Sequence, residues 1–332
     1  MNTFRKRAGL AGLLTAALAL TACSGSGGKE GEAGGGAGNV AETERLKVAM
    51  ITHEAPGDTF WDRIRKGAEA ASYKDNVELL YFNDPQAPKQ AELVQNAIDQ
   101  DVDAIAVTLS NPQALTPVIR KATDAGIPVV LFNAGLSETV LEDTGALMYF
   151  GQDESIAGEA VGARLAEEGA KKSICVVQEQ GQVQLEARCD GVVKGLSGGQ
   201  VEKLYVNGRN MPSVLTDIQA KLAQDKSVDR VVTLGADFAL AAAKAVDEAG
   251  SSADVVTFDL NQDLVSAIES GEVAWAVDQQ PYVQGYEAID SLWLYLTNGN
   301  TIGGGQHVLT GPAFVDETNI KVIAPYAERG TR

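Results

Sequence analysis

The chain has 332 residues, of which 45% are hydrophobic, 22% charged and 6% aromatic, enough for two cores of about 130–150 residues each and incompatible with a disordered chain. Its 27 Lys and Arg against 45 Asp and Glu leave a net charge of −18, which excludes the basic, phosphate-neutralising footprint of a nucleic-acid partner. With two histidines and three widely spaced cysteines there is little material for a metal centre or thiol chemistry, so no metal, no cofactor and no catalytic residue is expected.

In chain order, Arg5, Lys6 and Arg7 form a cationic start, and Ala8 to Ala22 is a run of fifteen small or apolar residues. That is too short to span a bilayer, which needs about 20 residues, but it suits an export signal. The closing Leu20-Thr21-Ala22-Cys23 resembles a bacterial lipoprotein signal. The resemblance implies that residues 1–22 are removed and that Cys23 is lipidated on its thiol. Losing three cations and no anion takes the net charge from −18 to −21. Residues 23–44 then read as a flexible Gly/Ser/Glu tether without apolar periodicity, reaching roughly 25 Å. An exported body held by acyl chains at the outer face of the cytoplasmic membrane is the expected localisation.

From Leu46 the chain alternates apolar strands with amphipathic helices. After Leu46–Ile51, strands are expected at Val77–Phe82, Asp103–Leu109, Pro128–Asn133 and Leu147–Gly151, and after Glu154 at Ser173–Gln178, Val201–Val206, Arg230–Leu234, Asp254–Phe258 and Val273–Val277. Helical faces fall between them, for instance Phe60, Ile64, Ala68 and Ala71, or Asn111–Ala125 stopped by Gly126 and Pro128. Strands apolar on both faces alternating with helices predict α/β architecture with parallel sheets covered on both sides. Ten such strands exceed one comfortable sheet, so two doubly wound lobes are expected.

Ligands of open parallel sheets sit beyond the carboxyl ends of the strands. The segments there include His53 through Trp61, Asn133-Ala134, Glu179 through Arg188, Asn207 through Met211, Gly235-Ala236-Asp237, Asp259-Leu260-Asn261 and Gln279-Gln280. They offer amides, carboxylates, a guanidinium and aromatic faces, and no activated nucleophile. That set suits an uncharged polyhydroxylated solute: carboxylates and amides pair with hydroxyls, and rings cover C–H surface. Asp237 and Asn210 are ligand candidates on position alone, and His53 either touches the ligand or caps its strand.

The order of these pieces resembles the ribose/galactose-type periplasmic binding proteins, the type I fold of sugar ABC transporters, over about residues 45–325. Gly57-Asp58-Thr59-Phe60-Trp61, Gly126-Ile127-Pro128-Val129-Val130 before Asn133, Glu186-Ala187-Arg188-Cys189-Asp190-Gly191, Asp259, and Asp278-Gln279-Gln280-Pro281-Tyr282-Val283-Gln284-Gly285 carry it. It implies that Phe60 and Trp61 stack on the ligand with Asp58 nearby, while Asn133, Arg188, Asp259 and Gln279 hydrogen-bond its hydroxyls. It further implies a three-strand hinge near Gly151-Gln152, Gln280-Pro281 and His307–Gly311. The expected lobes are therefore 45–151 with 280–307, and 152–279 with 308–332. The family's ribose binders place Asp-Arg where this chain has Asn133-Ala134, and Asn-Asp-Glu where it has Gly235-Ala236-Asp237. Another pentose, a hexose, a polyol or a cyclitol fits as well as ribose.

Other motifs carry no chemistry. Gly195-Leu196-Ser197-Gly198-Gly199 matches a hydrolase elbow, but a helix precedes it and a strand follows, the reverse of the required order. Asp99, Asp101 and Asp103 lack the glycine and terminal Glu of a calcium loop. Cys175 and Cys189, fourteen residues apart, either form a disulfide or pack as small apolar residues. The expected function is a monomeric solute-binding lipoprotein of an ABC importer that delivers a monosaccharide or polyol to a membrane permease by lobe closure. A sugar-sensing receptor for a membrane kinase is the alternative on the same fold.

Overall fold

The computed structural model describes residues 40–332; Cys23, the signal segment and most of the tether lie outside them. The chain runs β1 (Leu46–Thr52), α1 (Phe60–Lys74), β2 (Val77–Asn83), α2 (Ala87–Asp99), β3 (Ala104–Val107), α3 (Pro112–Asp124), β4 (Val129–Phe132), α4 (Val140–Thr144) and β5 (Met148–Gln152). It continues through α5 (Glu154–Glu167), β6 (Lys172–Val177), α6 (Val183–Gly195), β7 (Gln200–Tyr205), α7 (Met211–Gln224), β8 (Arg230–Thr233), α8 (Ala236–Glu248), β9 (Asp254–Phe258), α9 (Gln262–Ser270) and β10 (Trp275–Asp278). Then come α10 (Pro281–Asn298), β11 (Val308–Gly311), β12 (Ala313–Asp316) and α11 (Ile320–Glu328).

The strands form two six-stranded sheets with the same order, β2-β1-β3-β4-β5-β11 and β7-β6-β8-β9-β10-β12. Neighbours are parallel except β12, which runs antiparallel along β10. This is the expected pair of doubly wound lobes with one reversed edge strand. Burial follows position in the sheet. Every residue of central β3 and β4 is buried, whereas edge strands β2 and β7 keep exposed or half-buried positions. Successive side chains serve opposite faces: Val48 and Met50 join a core under α1 and α10, Ala49 and Ile51 a core under α2 and α3. The second sheet is sandwiched in the same way between α5 and α6 on one face and α7, α8, α9 and α11 on the other.

Ten strands are legible in the sequence; twelve are present among the described residues. β11 and β12 are four residues each on either side of Pro312, too short and interrupted for an apolar run to mark them. The sheets are exchanged after Gln152, after Gln279 and between Gly311 and Pro312. Val308 pairs with Phe150, so β11 completes the first sheet. Residues 308–311 therefore lie with the first lobe, not the second as the boundary at 307 implied. The tether also ends sooner than Glu44, because the Ala41 amide donates to the Lys74 carbonyl at 2.8 Å and Trp293 Nε1 to Thr43 Oγ1 at 3.1 Å.

Glycines bring one helix pair in each lobe into backbone contact. A Cβ on Gly67 or Gly285 would run into the Tyr282 or Ile64 carbonyl across α1 and α10, and one on Gly158 into the Arg188 carbonyl across α5 and α6. Cys175 on β6 and Cys189 on α6 are joined as a disulfide with Cα atoms 5.9 Å apart, closing a span of 14 residues beneath that second pair. Such a closure contributes about 3 kcal/mol by restricting the unfolded chain. Gly158→Val should push α5 off α6 and lower stability by about 3 kcal/mol. A denaturant-unfolding midpoint equal to wild type would contradict this close packing.

Candidate ligand-binding site

The carboxyl ends of the two sheets enclose a narrow cleft whose solvent-sized room is about 90 Å³. From the first lobe it is lined by His53, Asp58, Thr59, Phe60, Trp61, Arg63 and Asn133, and from the second by Gln178, Glu179, Gln184, Arg188, Asp237, Phe238 and Asp259, with Gln279 at the second crossing.

One local device recurs in both lobes. The fourth consecutive strand of each sheet, β4 and β9, is followed by a residue in left-handed conformation, Asn133 (φ 64°) and Asp259 (φ 67°). Asn and Asp tolerate that region better than other non-glycine residues. Each backbone N–H still reaches the adjoining strand, Asn133 to Phe150 at 2.8 Å and Asp259 to Val277 at 2.7 Å. The corner thus leaves the sheet ladder intact while the side chain lines the cleft. Asn133 Nδ2 donates to Gln279 Oε1 at 3.3 Å and Gln284 Oε1 at 3.1 Å, and Gln279 Nε2 donates to Asp259 Oδ1 at 2.7 Å. An amide relay therefore joins the two corners through the crossing segment.

Two further bonds bridge the lobes directly. Gln184 Nε2 donates to His53 Nε2 at 3.1 Å, which leaves Nδ1–H to donate to Thr108 Oγ1 at 2.8 Å. Thr59 Oγ1 donates to Asp237 Oδ2 at 3.4 Å. His53 is neutral, its pKa lowered to about 3 by burial and by the nearby Arg188 charge. Trp61 packs edge-on to His53 at 4.7 Å and to Phe60 at 5.3 Å. It is only 3% exposed and belongs to the α1–α10 core, so its removal would disturb the fold as well as the cleft.

Arg188 is buried, with Nε and Nη2 on the two oxygens of Glu154 at 2.6 and 3.0 Å and Nη1 3.9 Å from Asp259 Oδ2. Burial opposes its charge, and the Glu154 carboxylate overrides that, holding the guanidinium firmly protonated. Burial pushes Asp259 up to about 7 against the pull of Arg188 and the Gln279 bond. Asp58 rises to about 6, chiefly by burial, with the Phe60 amide opposing and Glu179 and Asp237 adding repulsion. Glu179 is raised as well by burial.

Asn210 stands apart from the cleft lining; its side chain accepts from Ser213 N–H at 3.3 Å and caps α7. Position after β7 suggested ligand contact, but a helix start consumed the side chain. Tyr282 stacks on Tyr286 in α10, and Trp275 lies in the second lobe's core. Arg63, Gln178 and Phe238 also line the cleft, outside the segments named from the sequence, as do Thr59, Glu179 and Gln184, which lie inside those segments but are not among the candidate ligand contacts. Gln178 and Gln184 stand out, because each has a buried Oε1 without a hydrogen-bond partner among the described residues. Gln178 directly follows β6, a signal of the same kind as Asn133; Gln184 depends on how α6 packs and leaves no such mark.

The fold, the exchange of sheets and the shared polar cleft define a two-lobed binding protein. The periplasmic binding protein domain family matches residues 48–301, and the chain belongs to it, as a type I sugar-binding protein of the kind that serves ABC transporters. A carbohydrate transporter from Acidothermus cellulolyticus, solved in complex with myo-inositol, is 59% identical, with a TM-score of 0.85, covering 87% of this chain and all of the other. A xylitol-binding protein from Mycolicibacterium smegmatis is 25% identical over 95% of this chain and 85% of its own length. A xylose/arabinose-binding protein from Sulfolobus acidocaldarius is 23% identical over 86% of this chain and 74% of its own. One of these relatives is named a carbohydrate transporter and the other two are named for binding xylitol and xylose/arabinose. Among the described residues no helix is long and apolar enough to cross a membrane.

Ligand hydroxyls that donate to Asp259 or Asp58 favour the ionised carboxylate, so binding should lower pKa values that burial has raised and release protons where the free site is still partly protonated. Titration calorimetry in buffers of different ionisation heat should show net proton release on binding near pH 6.5 and none near pH 9, with affinity falling from pH 8 to pH 5. Proton uptake at pH 6.5 would contradict carboxylates as the acceptors.

Proposed function

We propose that this protein is the extracytoplasmic solute-binding component of an importer whose ligand is a neutral polyhydroxylated ring, with a cyclitol such as myo-inositol the first candidate. The supporting observation is the set of converging hydrogen-bond groups from both lobes, with two buried acceptor oxygens, Gln178 Oε1 and Gln184 Oε1, still unsatisfied among the described residues. A buried amide oxygen left unpaired costs about 1–3 kcal/mol, so ligand hydroxyls placed there are worth more than the same contacts at a surface. The aromatic rings of Phe60, Trp61 and Phe238 on the lining suit the C–H faces of a saturated ring. The 59% identical relative solved with myo-inositol supports the cyclitol over the pentoses.

The mechanism follows from three chain crossings and a ligand that bonds to both lobes. Solute bridging His53, Asp58 and Asn133 on one side and Gln178, Arg188 and Asp259 on the other adds binding free energy only when the lobes are together. It therefore shifts the population to the closed form. The closed form is what a permease would recognise, and no bond of the solute is changed. Lipidation at Cys23 and the tether would keep the body beside that permease.

A thermal-shift panel of myo-inositol, other inositols, polyols, pentoses and hexoses tests the ligand class. At a hundredfold excess over Kd, the true ligand should raise Tm by roughly 5 °C. No shift with any panel member would sink the reading. Asp259→Ala should weaken binding of the responding ligand about a hundredfold or more through loss of charged hydrogen bonds, while far-UV circular dichroism stays that of wild type. Unchanged affinity would remove Asp259 from the site.

A further inference from the structure

Arg188 lines the cleft, yet it is not available there as a cation. Two of its three nitrogens are held by both oxygens of Glu154, at 2.6 and 3.0 Å, in an ion pair with 3% and 7% exposure for the two residues. Glu154 opens α5, just past the first chain crossing, and is absent from the cleft lining. Its Oε2 also accepts from Gln152 Nε2 at 2.7 Å, at the end of β5. The remaining Nη1 donates one N–H to the Leu234 carbonyl at 3.4 Å and lies 3.9 Å from Asp259 Oδ2, which leaves its second N–H for the cleft. The other charged groups on the lining are Asp58, Glu179, Asp237 and Asp259 against Arg63, and Arg63 is held by the Thr59 and Arg332 carbonyls at 2.8 Å each.

Resting on the reading of the cleft as a site for neutral polyols, we propose that Glu154 is a positioning residue that sets its charge specificity. Glu154 fixes the guanidinium from behind and cancels its charge, so that Arg188 offers one directed N–H donor and no net cation. A sugar acid or a phosphorylated sugar brings an anion into a cleft whose lining carboxylates outnumber its cations and finds Arg188 already paired. Burying that anion uncompensated is costly. A neutral ring needs only the donor. Arg is suited to this double use because its fork meets one carboxylate at two points and still has a nitrogen left over.

The test compares wild type, Glu154→Gln and Glu154→Asp in equilibrium titrations with myo-inositol and with glucuronate at pH 8. Wild type should bind the neutral ring at least a hundredfold more tightly. Glu154→Gln frees the Arg188 charge, and that preference should shrink at least tenfold through weaker inositol binding and stronger glucuronate binding. Glu154→Asp keeps the charge and should preserve most of the preference. Equal weakening of both ligands in Glu154→Gln, or an unchanged preference, would overturn the proposal and leave Glu154 a purely structural partner. If Glu154→Gln does not fold, the side-chain Nε–H resonance of Arg188 in the wild-type protein decides. It should stay protected and unshifted when ligand is added, and movement onto the ligand would overturn the proposal. A wild type that binds no neutral ring would instead refute the ligand class.

Discussion

Burying polar groups between two lobes without leaving them unpaired is the constraint on which this structure turns. An unpaired buried amide costs kilocalories, and an unpaired buried carboxylate or guanidinium charge considerably more. The cleft meets that demand in two ways. Groups that must be held still, such as Arg188, Asn133 and Gln279, are bonded to neighbouring side chains. A few acceptors on the surface the ligand would meet, Gln178 Oε1 and Gln184 Oε1, are left without partners among the described residues.

The fold makes such an arrangement possible by repetition. The two sheets share one strand order, so each aims its carboxyl ends at the other, and each turns a left-handed corner after its fourth strand. Asn133 and Asp259 occupy equivalent corners and meet through Gln279, which lies where the chain passes between sheets. These cleft-lining groups and the chain crossings between the lobes are thus neighbours. The ion pair at Glu154 repeats this pattern at the first crossing, where Gln152 joins it.

Burial shifts the titration of several ionisable groups on the cleft lining. Asp259, Asp58 and Glu179 hold their protons to higher pH than usual because burial raises them, and His53 stays uncharged. Both shifts lower the cost of having many ionisable groups in a small space. On the stability side they act in opposite directions. Asp259 and Asp58 cost stability as pH rises from about 4 toward about 7, because the unfolded chain gives up its protons earlier. His53 costs stability as pH falls through its unfolded value near 6.5, because only the unfolded chain takes up a proton there.

Composition, alternation and strand-end residues determined the α/β class, the two lobes and much of the cleft lining. These properties follow from local pattern: a strand buried on both faces must be apolar throughout, and a residue one step past it stands at the sheet's edge whatever the rest of the chain does. His53, Asn133, Asp259 and Gln279 were legible on that ground; Asp58, Asp237 and Arg188 lie further along the segments after β1, β8 and β6, and Asp58 and Arg188 were carried by the ordered motifs. What only the tertiary structure decided depends on which helix packs where. Glu154 pairs with Arg188 because α5 and α6 meet at glycines; Gln184 reaches His53 from the other lobe; β11 joins the first sheet by pairing with β5. Asn210 was lost to a helix cap for the same reason: a polar side chain at a strand end can serve the ligand or its own backbone, and only the geometry of the next turn chooses between them.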